Sequence, residues 1–296
     1  MLKFAGKLMK AGLLITGLVG LISKYENEHM KTEEYEIVSK KLPKAFDGYR
    51  IAFLSDLHNK EFGKDNERLI KKIQEENPDL ILVGGDMVVG KAGYSTDIAT
   101  HLLKELSKDF PVIAANGNHE YRMQLYPKTF GTQYEDYVVQ LKGLGITYLT
   151  NESVEVVKDG RQIHIIGLSI EKQYYKRGKK ILMGSHYLNS ELGVPPKGFS
   201  ILLAHNPYYT KAYVKWGADL ILSGHNHGGL IRFPFLGGLV SPNISLFARY
   251  DAGLYKEGKS QVIISRGLGT HTYKIRVNNR PELSMITLKR GNTYGA

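Results

Sequence analysis

The chain has 296 residues, 42% of them hydrophobic and 23% charged, a balance that excludes long disordered stretches and allows one large domain or two small ones. It contains no cysteine, which excludes disulfides, thiolate nucleophiles and thiolate metal ligands. Lys and Arg number 40 against 29 Asp and Glu, and the net charge of +11 suits phosphoesters, anionic lipid or wall polymers, while serving solubility equally well.

Residues 1–24 read as an N-terminal signal or anchor. Lys3, Lys7 and Lys10 precede an apolar run over residues 11–22, closed by Ser23 and Lys24. The run is shorter than the roughly 20 residues that span a bilayer. It has neither an A-x-A cleavage site nor a twin-arginine pair. Positive charge ahead of it favours an inside N-terminus with the remainder crossing. Membrane association through residues 8–23 and an extracytoplasmic catalytic domain are therefore expected, with an amphipathic surface helix as the alternative. Residues 25–32 read as a polar linker, 33–290 as the folded domain and 291–296 as a tail.

Within the folded part, short apolar runs alternate with helical patterns. The runs occupy residues 50–56, 79–86, 111–117, 163–167, 199–204 and 218–223, punctuated by Gly, Pro, Asn or Asp as strands buried on both faces should be. Asp65 is a predicted N-cap for a helix carrying Leu69, Ile70 and Ile73 that stops before Pro78. Residues 96–108 and 133–144 repeat helical spacing, and 207–216 form a shorter case opened by Pro207. This alternation predicts an α/β domain with a largely parallel sheet. Residues 261–265 and 283–288 read as strands of a second, more antiparallel sheet.

Chemistry-bearing residues follow the strands. Asp56 and His58 come after the first and, two apart on an extended segment, would face one point. Asp86 follows Gly84 and Gly85 after the second strand, and Asn118, His119 and Glu120 follow Gly117 after the third. The fifth gives His205, and the sixth gives Gly224, His225, Asn226 and His227. Ligands gather beyond the carboxyl ends of strands in open α/β sheets. With 32 Gly and 10 His, a chance G-H-x-H match is expected roughly 0.04 times. D-x-H and G-D are weak alone; their common placement makes the set strong.

Nitrogen and oxygen donors without sulfur point to Mn, Fe, Zn or Co rather than an oxygen-only Mg site. Asp56, His58, Asp86, Asn118, His205, His225 and His227 are too many groups for one open ion, so two divalent ions sharing a bridging carboxylate are expected. Such a pair can lower the pKa of a bound water to about 7 and neutralise charge during in-line attack on phosphorus. His119, next to a candidate ligand, would donate a proton to the leaving oxygen or stabilise the transition state.

In this order, D-x-H, G-D, G-N-H-E, H and G-H-x-H resemble the motifs of the calcineurin-like metallophosphoesterase superfamily. The resemblance implies two facing mixed β-sheets flanked by helices. It implies that Asp56, His58 and His227 hold one ion, that Asn118, His205 and His225 hold the other, that Asp86 bridges them, and that His119 is catalytic. Residues 235–242, 250–255, 265–269 and 278–282 are similar to a bacterial branch with an N-terminal export or membrane segment, which includes phosphohydrolases and lipid-precursor pyrophosphatases. The expected substrate is thus a small or lipid-linked phosphate ester or pyrophosphate. A nuclease fits the charge but lacks a nucleic-acid module, and nucleic acid is not an expected partner. A silent metal-binding scaffold would need ligands lost, whereas all are present.

His271 and Arg276, after Gly267 and Gly269, are candidates for touching substrate phosphate. Glu120 and Asn226 read as supporting or turn residues, and His29, His101, His164 and His186 have no motif context. The apolar, Gly-rich residues 228–250 fit packing on the core better than cradling an acyl chain. The basic stretch of Lys172, Lys176, Arg177, Lys179 and Lys180 reads as a solvated face.

Overall fold

Strands that are apolar without alternation have to be covered on both faces, and two sheets packed together with helices outside satisfy this. The structure, a computed structural model, describes residues 2–176, 181–233, 235–239, 249–270 and 274–291. His271, Arg177, Lys179, Lys180, part of the 228–250 loop and residues 292–296 lie outside them. In chain order the first elements are α1 (Leu2–Glu28), β1 (Lys31–Ser39), β2 (Arg50–Leu54), α2 (Glu67–Glu76), β3 (Leu80–Val83), α3 (Asp97–Ser107) and β4 (Val112–Ala115). Then come α4 (Asn118–Leu125), α5 (Pro127–Phe130), α6 (Gln133–Gly143), β5 (Thr147–Leu149), β6 (Glu152–Lys158) and β7 (Arg161–Leu168). The remainder are α7 (Ser185–Leu192), β8 (Ser200–Ala204), α8 (Thr210–Trp216), β9 (Leu220–Ser223), the short β10 (Arg232–Phe233) and β11 (Gly237–Gly238), β12 (Gly253–Glu257), β13 (Ser260–Ile264) and β14 (Glu282–Arg290).

The first sheet has the order β1-β14-β2-β3-β4-β5, with β2 to β5 parallel and β14 antiparallel to β2. The second has the order β12-β13-β9-β8-β7-β6, parallel except at its edges β12 and β6. Ile51, Phe53, Leu80 and Leu82 meet Ile201, Leu203, Leu220 and Leu222 between the sheets. The opposite faces of β2 and β3 bury Ala52, Leu54, Ile81 and Val83 against Leu69, Ile73 and Leu102 of α2 and α3. Leu202, Ala204 and Ile221 pack on Tyr213 and Trp216 of α8. Burying a Leu or Ile side chain contributes about 1.5–3 kcal/mol, so this layering dominates the stability of the fold.

Two facing mixed sheets match the architecture that the resemblance implies. The antiparallel C-terminal sheet is corrected. β13 pairs in parallel with β9, whereas β14 lies between β1 and β2 in the other sheet. Both are largely buried, so each fills an interior place rather than forming an edge pair. The linker over 25–32 is also corrected, because α1 continues through residues 25–28 and β1 opens at Lys31. Asn66, not Asp65, takes the N-cap position of α2, and its Oδ1 accepts from the Phe62 amide at 2.9 Å instead of capping the helix. Among the described residues, no helix is long and apolar enough to cross a membrane.

Candidate metal centre

The loops after β2, β3, β4, β8 and β9 converge at the carboxyl ends of both sheets. They do so through tight turns. Asp56, His58, Asp86, His225 and His227 have φ of 54°, 48°, 54°, 66° and 49°. The extended geometry expected for Asp56 and His58 is therefore replaced by left-handed backbone, which costs about 1–3 kcal/mol per residue and persists only where surrounding structure enforces it. Enforcement comes partly from backbone pairing, since the Asp56 and His58 amides donate to the carbonyls of Gly85 and Asp86 at 3.0 and 3.1 Å. It comes also from glycines that let chains touch. A Cβ at Gly224 would lie 2.1 Å from Asp56 Oδ2, and one at Gly117 would lie 2.2 Å from Asp86 Oδ1.

Ligand-type atoms crowd the resulting pocket. His227 Nε2 lies 3.5 Å from Asp56 Oδ1 and 3.3 Å from His58 Nε2. Asp86 Oδ2 lies 3.1 Å from His205 Nε2, 3.8 Å from His58 Nε2 and 3.9 Å from His119 Nε2. Asp56, His58 and His227 form one group able to hold a cation; Asp86, His205 and His225 form another. Asn118 Oδ1 is buried without a hydrogen bond, an acceptor whose lone pairs suit a cation. The donor set thus fits divalent ions.

Neighbouring groups orient these side chains. Nδ1 of His205 donates to the Gly84 carbonyl at 2.8 Å, and Nδ1 of His227 donates to Gly269 O at 3.0 Å. Each ring therefore turns Nε2 inward, the nitrogen that could coordinate a cation. His119 is wired the other way: the Gly90 amide donates to its Nδ1 at 2.8 Å, so the neutral ring carries its hydrogen on Nε2. Ser55 Oγ donates to Asp56 Oδ2 at 2.5 Å and the His119 amide to Asp86 Oδ1 at 2.8 Å, which leaves Asp86 Oδ2 facing the centre. Glu120, fully buried, accepts from the amides of Asp86, Met87 and Gly117 at 2.8, 2.8 and 2.9 Å. It staples the β3 loop to the β4 loop.

Charge follows the same plan. Burial alone would raise Asp56 and Asp86, but the surrounding imidazoles, chiefly His227 and His205 for Asp56 and His205 and His119 for Asp86, hold both well below the usual carboxylate range. Burial opposes charge on His205, yet Asp86 and Asp56 outweigh it and lift the ring to about 10. Burial and the Asp86 charge push Glu120 up. The pocket attracts positive charge.

Arg276 is not at the phosphate side. It is fully buried, and its guanidinium donates to the carbonyls of Asn279, Arg266, Gly267 and Gly269 at 2.9–3.1 Å. It holds the loop whose Gly269 carbonyl orients His227. Sequence reading missed this because carbonyl partners belong to the backbone and leave no residue signature. Asn226 fulfils its supporting role, donating to Tyr250 O at 2.6 Å.

Buried carboxylates and imidazoles gathered at paired sheet ends, with a donor set made for divalent ions, define a metal-dependent phosphoric ester hydrolase. The calcineurin-like phosphoesterase family matches residues 49–229, and the chain belongs to that family. It is 29% identical over 289 residues to the uncharacterised metallophosphoesterase YkuE of Bacillus subtilis, covering 96% of this chain and 94% of that one. It is 30% identical over 244 residues to the phosphodiesterase YaeI of Escherichia coli, covering 81% and 82%. Among solved structures, phosphopantetheinyl hydrolase from Mycobacterium tuberculosis superposes with a TM-score of 0.46 at 14% identity, over 74% of this chain and 89% of that one.

Proposed function

We propose that the chain hydrolyses a phosphate ester or pyrophosphate bond at a pair of divalent ions, with Asp56, His58 and His227 holding one, Asn118, His205 and His225 the other, and Asp86 between them. The observation that carries this reading is Asp86 Oδ2, aimed at His205 on one side and His58 on the other. When bound, two such ions would supply a water acidic enough to attack at neutral pH and Lewis-acid stabilisation of the phosphoryl oxygens. The protein fixes the donors in advance, so little reorganisation accompanies the reaction. His119 serves as a hydrogen-bond donor through Nε2 to the phosphoryl or leaving oxygen. The Gly90 amide opposes a second proton on Nδ1, which favours charge stabilisation by the neutral ring over delivery of a proton by an imidazolium.

The substrate is a phosphorylated small molecule or a lipid-linked one. α1 supports attachment to a membrane surface, since Phe4, Leu18 and Leu21 are 69%, 58% and 70% exposed. The lysines ahead of its apolar run favour a catalytic domain on the extracytoplasmic side. The test is turnover of an aryl phosphate by purified protein with Mn²⁺, alongside Asp86→Ala and His119→Ala and a count of bound metal. His119→Ala should lose about 10²–10³-fold in kcat with its metal retained, as removal of one transition-state donor does. Asp86→Ala should lose both activity and metal. An inactive wild type, or full activity in either variant, would refute the reading.

A further inference from the structure

Helix α1 is built into the surroundings of the metal centre. Ser23 Oγ donates to Lys274 O at 3.1 Å and accepts from the Arg276 amide at 3.0 Å. The Glu26 carboxylate accepts from the amides of Asn278 and Asn279 at 2.9 and 2.8 Å, and Lys60 donates to the Asn27 carbonyl. These bonds fix the C-terminal half of α1 against the loop that carries Gly269, the partner of His227.

Between that seam and the centre lies a cavity of about 680 Å³, bounded by Thr16, Val19, Gly20 and Ser23 of α1 and by His58 and Ile275. Its volume falls within the roughly 300–1,000 Å³ of small-molecule sites. The cavity reaches the backbone of His58, whose buried imidazole faces the metal centre on the other side, so it lies directly beside the centre. Thr16, Gly20, Ser23 and Asn27 recur at helical spacing on the stripe that lines the cavity, exposed at Thr16 and Gly20 and covered at Ser23 and Asn27. Leu18, Leu21 and Tyr25 lie on another and are more than half exposed. A Cβ at Gly20 would meet nothing within 4 Å, which leaves room for a ligand beside it. Lys24, Lys60 and Lys274 edge the cavity, with Glu28 and Glu61 opposing part of their charge. Among the described residues, no Phe, Tyr or Trp lines it to stack on a nucleobase.

We propose that α1 forms one wall of the substrate cleft, and that the cleft takes an amphiphilic phosphoester with its phosphate at the metal centre and its alkyl or acyl chain along Thr16, Val19 and Gly20. Val19, Gly20 and Ile275 supply the apolar surface, and Lys24 and Lys274 the attraction for the anionic head. The inference rests on the phosphoesterase reading above. It makes the N-terminal helix a determinant of specificity as well as an attachment.

The experiment compares kcat/KM of the full chain, loaded with Mn²⁺, for p-nitrophenyl methyl phosphate and p-nitrophenyl dodecyl phosphate, the latter below its micelle concentration. The dodecyl ester should be favoured by about tenfold or more, because a few buried methylenes suffice for that ratio. Gly20→Leu, which fills the cavity, should bring the ratio toward one, and Val19→Glu gives a second variant acting through polarity. Leu18→Ser, on the outward stripe, should keep the ratio. Thermal unfolding and bound-metal content establish that each variant is folded. Equal turnover of the two esters by wild type, or an undiminished preference in folded Gly20→Leu and Val19→Glu, would overturn the inference while leaving the phosphoesterase reading intact. Absence of turnover with both diesters but hydrolysis of the aryl phosphate monoester would also overturn the inference alone, whereas absence of turnover with all three would remove the phosphoesterase reading and the inference with it.

Discussion

The first-sheet rim of the centre supplies its carboxylates and the second-sheet rim most of its imidazoles, and the two are oriented by opposite ends of the peptide group. Asp56 and Asp86 are steered by donors: the Ser55 hydroxyl and the amides of His225 and His119. His205 and His227 are steered by acceptors, the carbonyls of Gly84 and Gly269. Asp86, with Oδ1 tied to the His119 amide, offers Oδ2 outward, and an imidazole with Nδ1–H tied to a carbonyl presents Nε2 to the centre. The difference shows how a chain without thiolates can make a rigid cation site. The ligands carry the recognisable chemistry, and the backbone around them sets their direction.

The sharpest way to break this comparison is to remove the support behind the second rim. Arg276→Met keeps the buried volume but strips hydrogen bonds from the carbonyls of residues 266, 267, 269 and 279. The carbonyls of Gly267 and Gly269 keep their bonds from the Glu282 amide and His227, but those of Arg266 and Asn279 are left unpaired at about 1–3 kcal/mol each, so urea denaturation should show a loss of about 2 kcal/mol or more. Arg276→Lys should recover only part of it, because an ammonium cannot reproduce the planar fork. Unchanged stability in Arg276→Met would mean that the loop orients His227 unaided.

On the first rim the matching change is Glu120→Gln. The amide group it introduces meets backbone N–H groups that now point at a carboxylate. Calorimetric titration with Mn²⁺ should show affinity about 10–100-fold weaker, the usual effect of losing an outer partner of a metal ligand. If Glu120→Gln binds as tightly as wild type, the glycine contacts alone fix Asp86.

A smaller effect links the rims through protons. His205 is raised from 6.5 to about 10 by Asp86 and Asp56, which outweigh the opposing burial. Its ion pairing therefore stabilises the ion-free protein fully below pH 6.5, and that contribution is lost as pH rises through about 10. An ion binding at His205 has to displace the proton. Apparent metal affinity should then rise about tenfold per pH unit across that window, with one proton released per ion at this residue. Titration in buffers of different ionisation enthalpy counts the proton, and a pH-independent affinity would contradict the electrostatic coupling.

The convergence of most candidate ligands was legible because the set combines rare residues with strand ends. His225 and His227 after Gly224, or Asp86 after Gly85, mark a loop and a chemistry at once. The interior strands β2, β3, β4, β8 and β9 were equally plain, since burial on both faces writes an unbroken apolar run. β1 and β6 were not, for they are edges whose residues alternate between exposed and part-buried and carry the charges of Lys31, Glu33, Glu152 and Lys158. Sheet membership of β13 and β14 depends on pairing across the whole chain, which no local pattern records. Arg276 read as a phosphate group because its charge is visible in sequence and its carbonyl partners are not. Asp56 and His58 converge as expected, but by left-handed turns, a conformation that L-residues resist and that only the assembled loops impose.

That last point has a control outside the centre. Asp65 has the same φ of 54° as Asp56, yet it is exposed and lies in the turn before α2 rather than at an ion. If left-handed backbone is a cost that the centre tolerates for the sake of ligand direction, the same cost at Asp65 should be recoverable. Glycine removes the Cβ penalty of about 1–2 kcal/mol but adds about 0.5–1 kcal/mol of unfolded-state entropy. Asp65→Gly should therefore match or exceed wild-type stability, by no more than about 1.5 kcal/mol, whereas Asp65→Ala keeps the Cβ and gains nothing. The urea midpoints of the two variants decide it. A clear loss in Asp65→Gly would show that the Asp65 side chain itself supports the start of α2, and that its left-handed backbone, like that of Asp56, is held for what the carboxylate contributes.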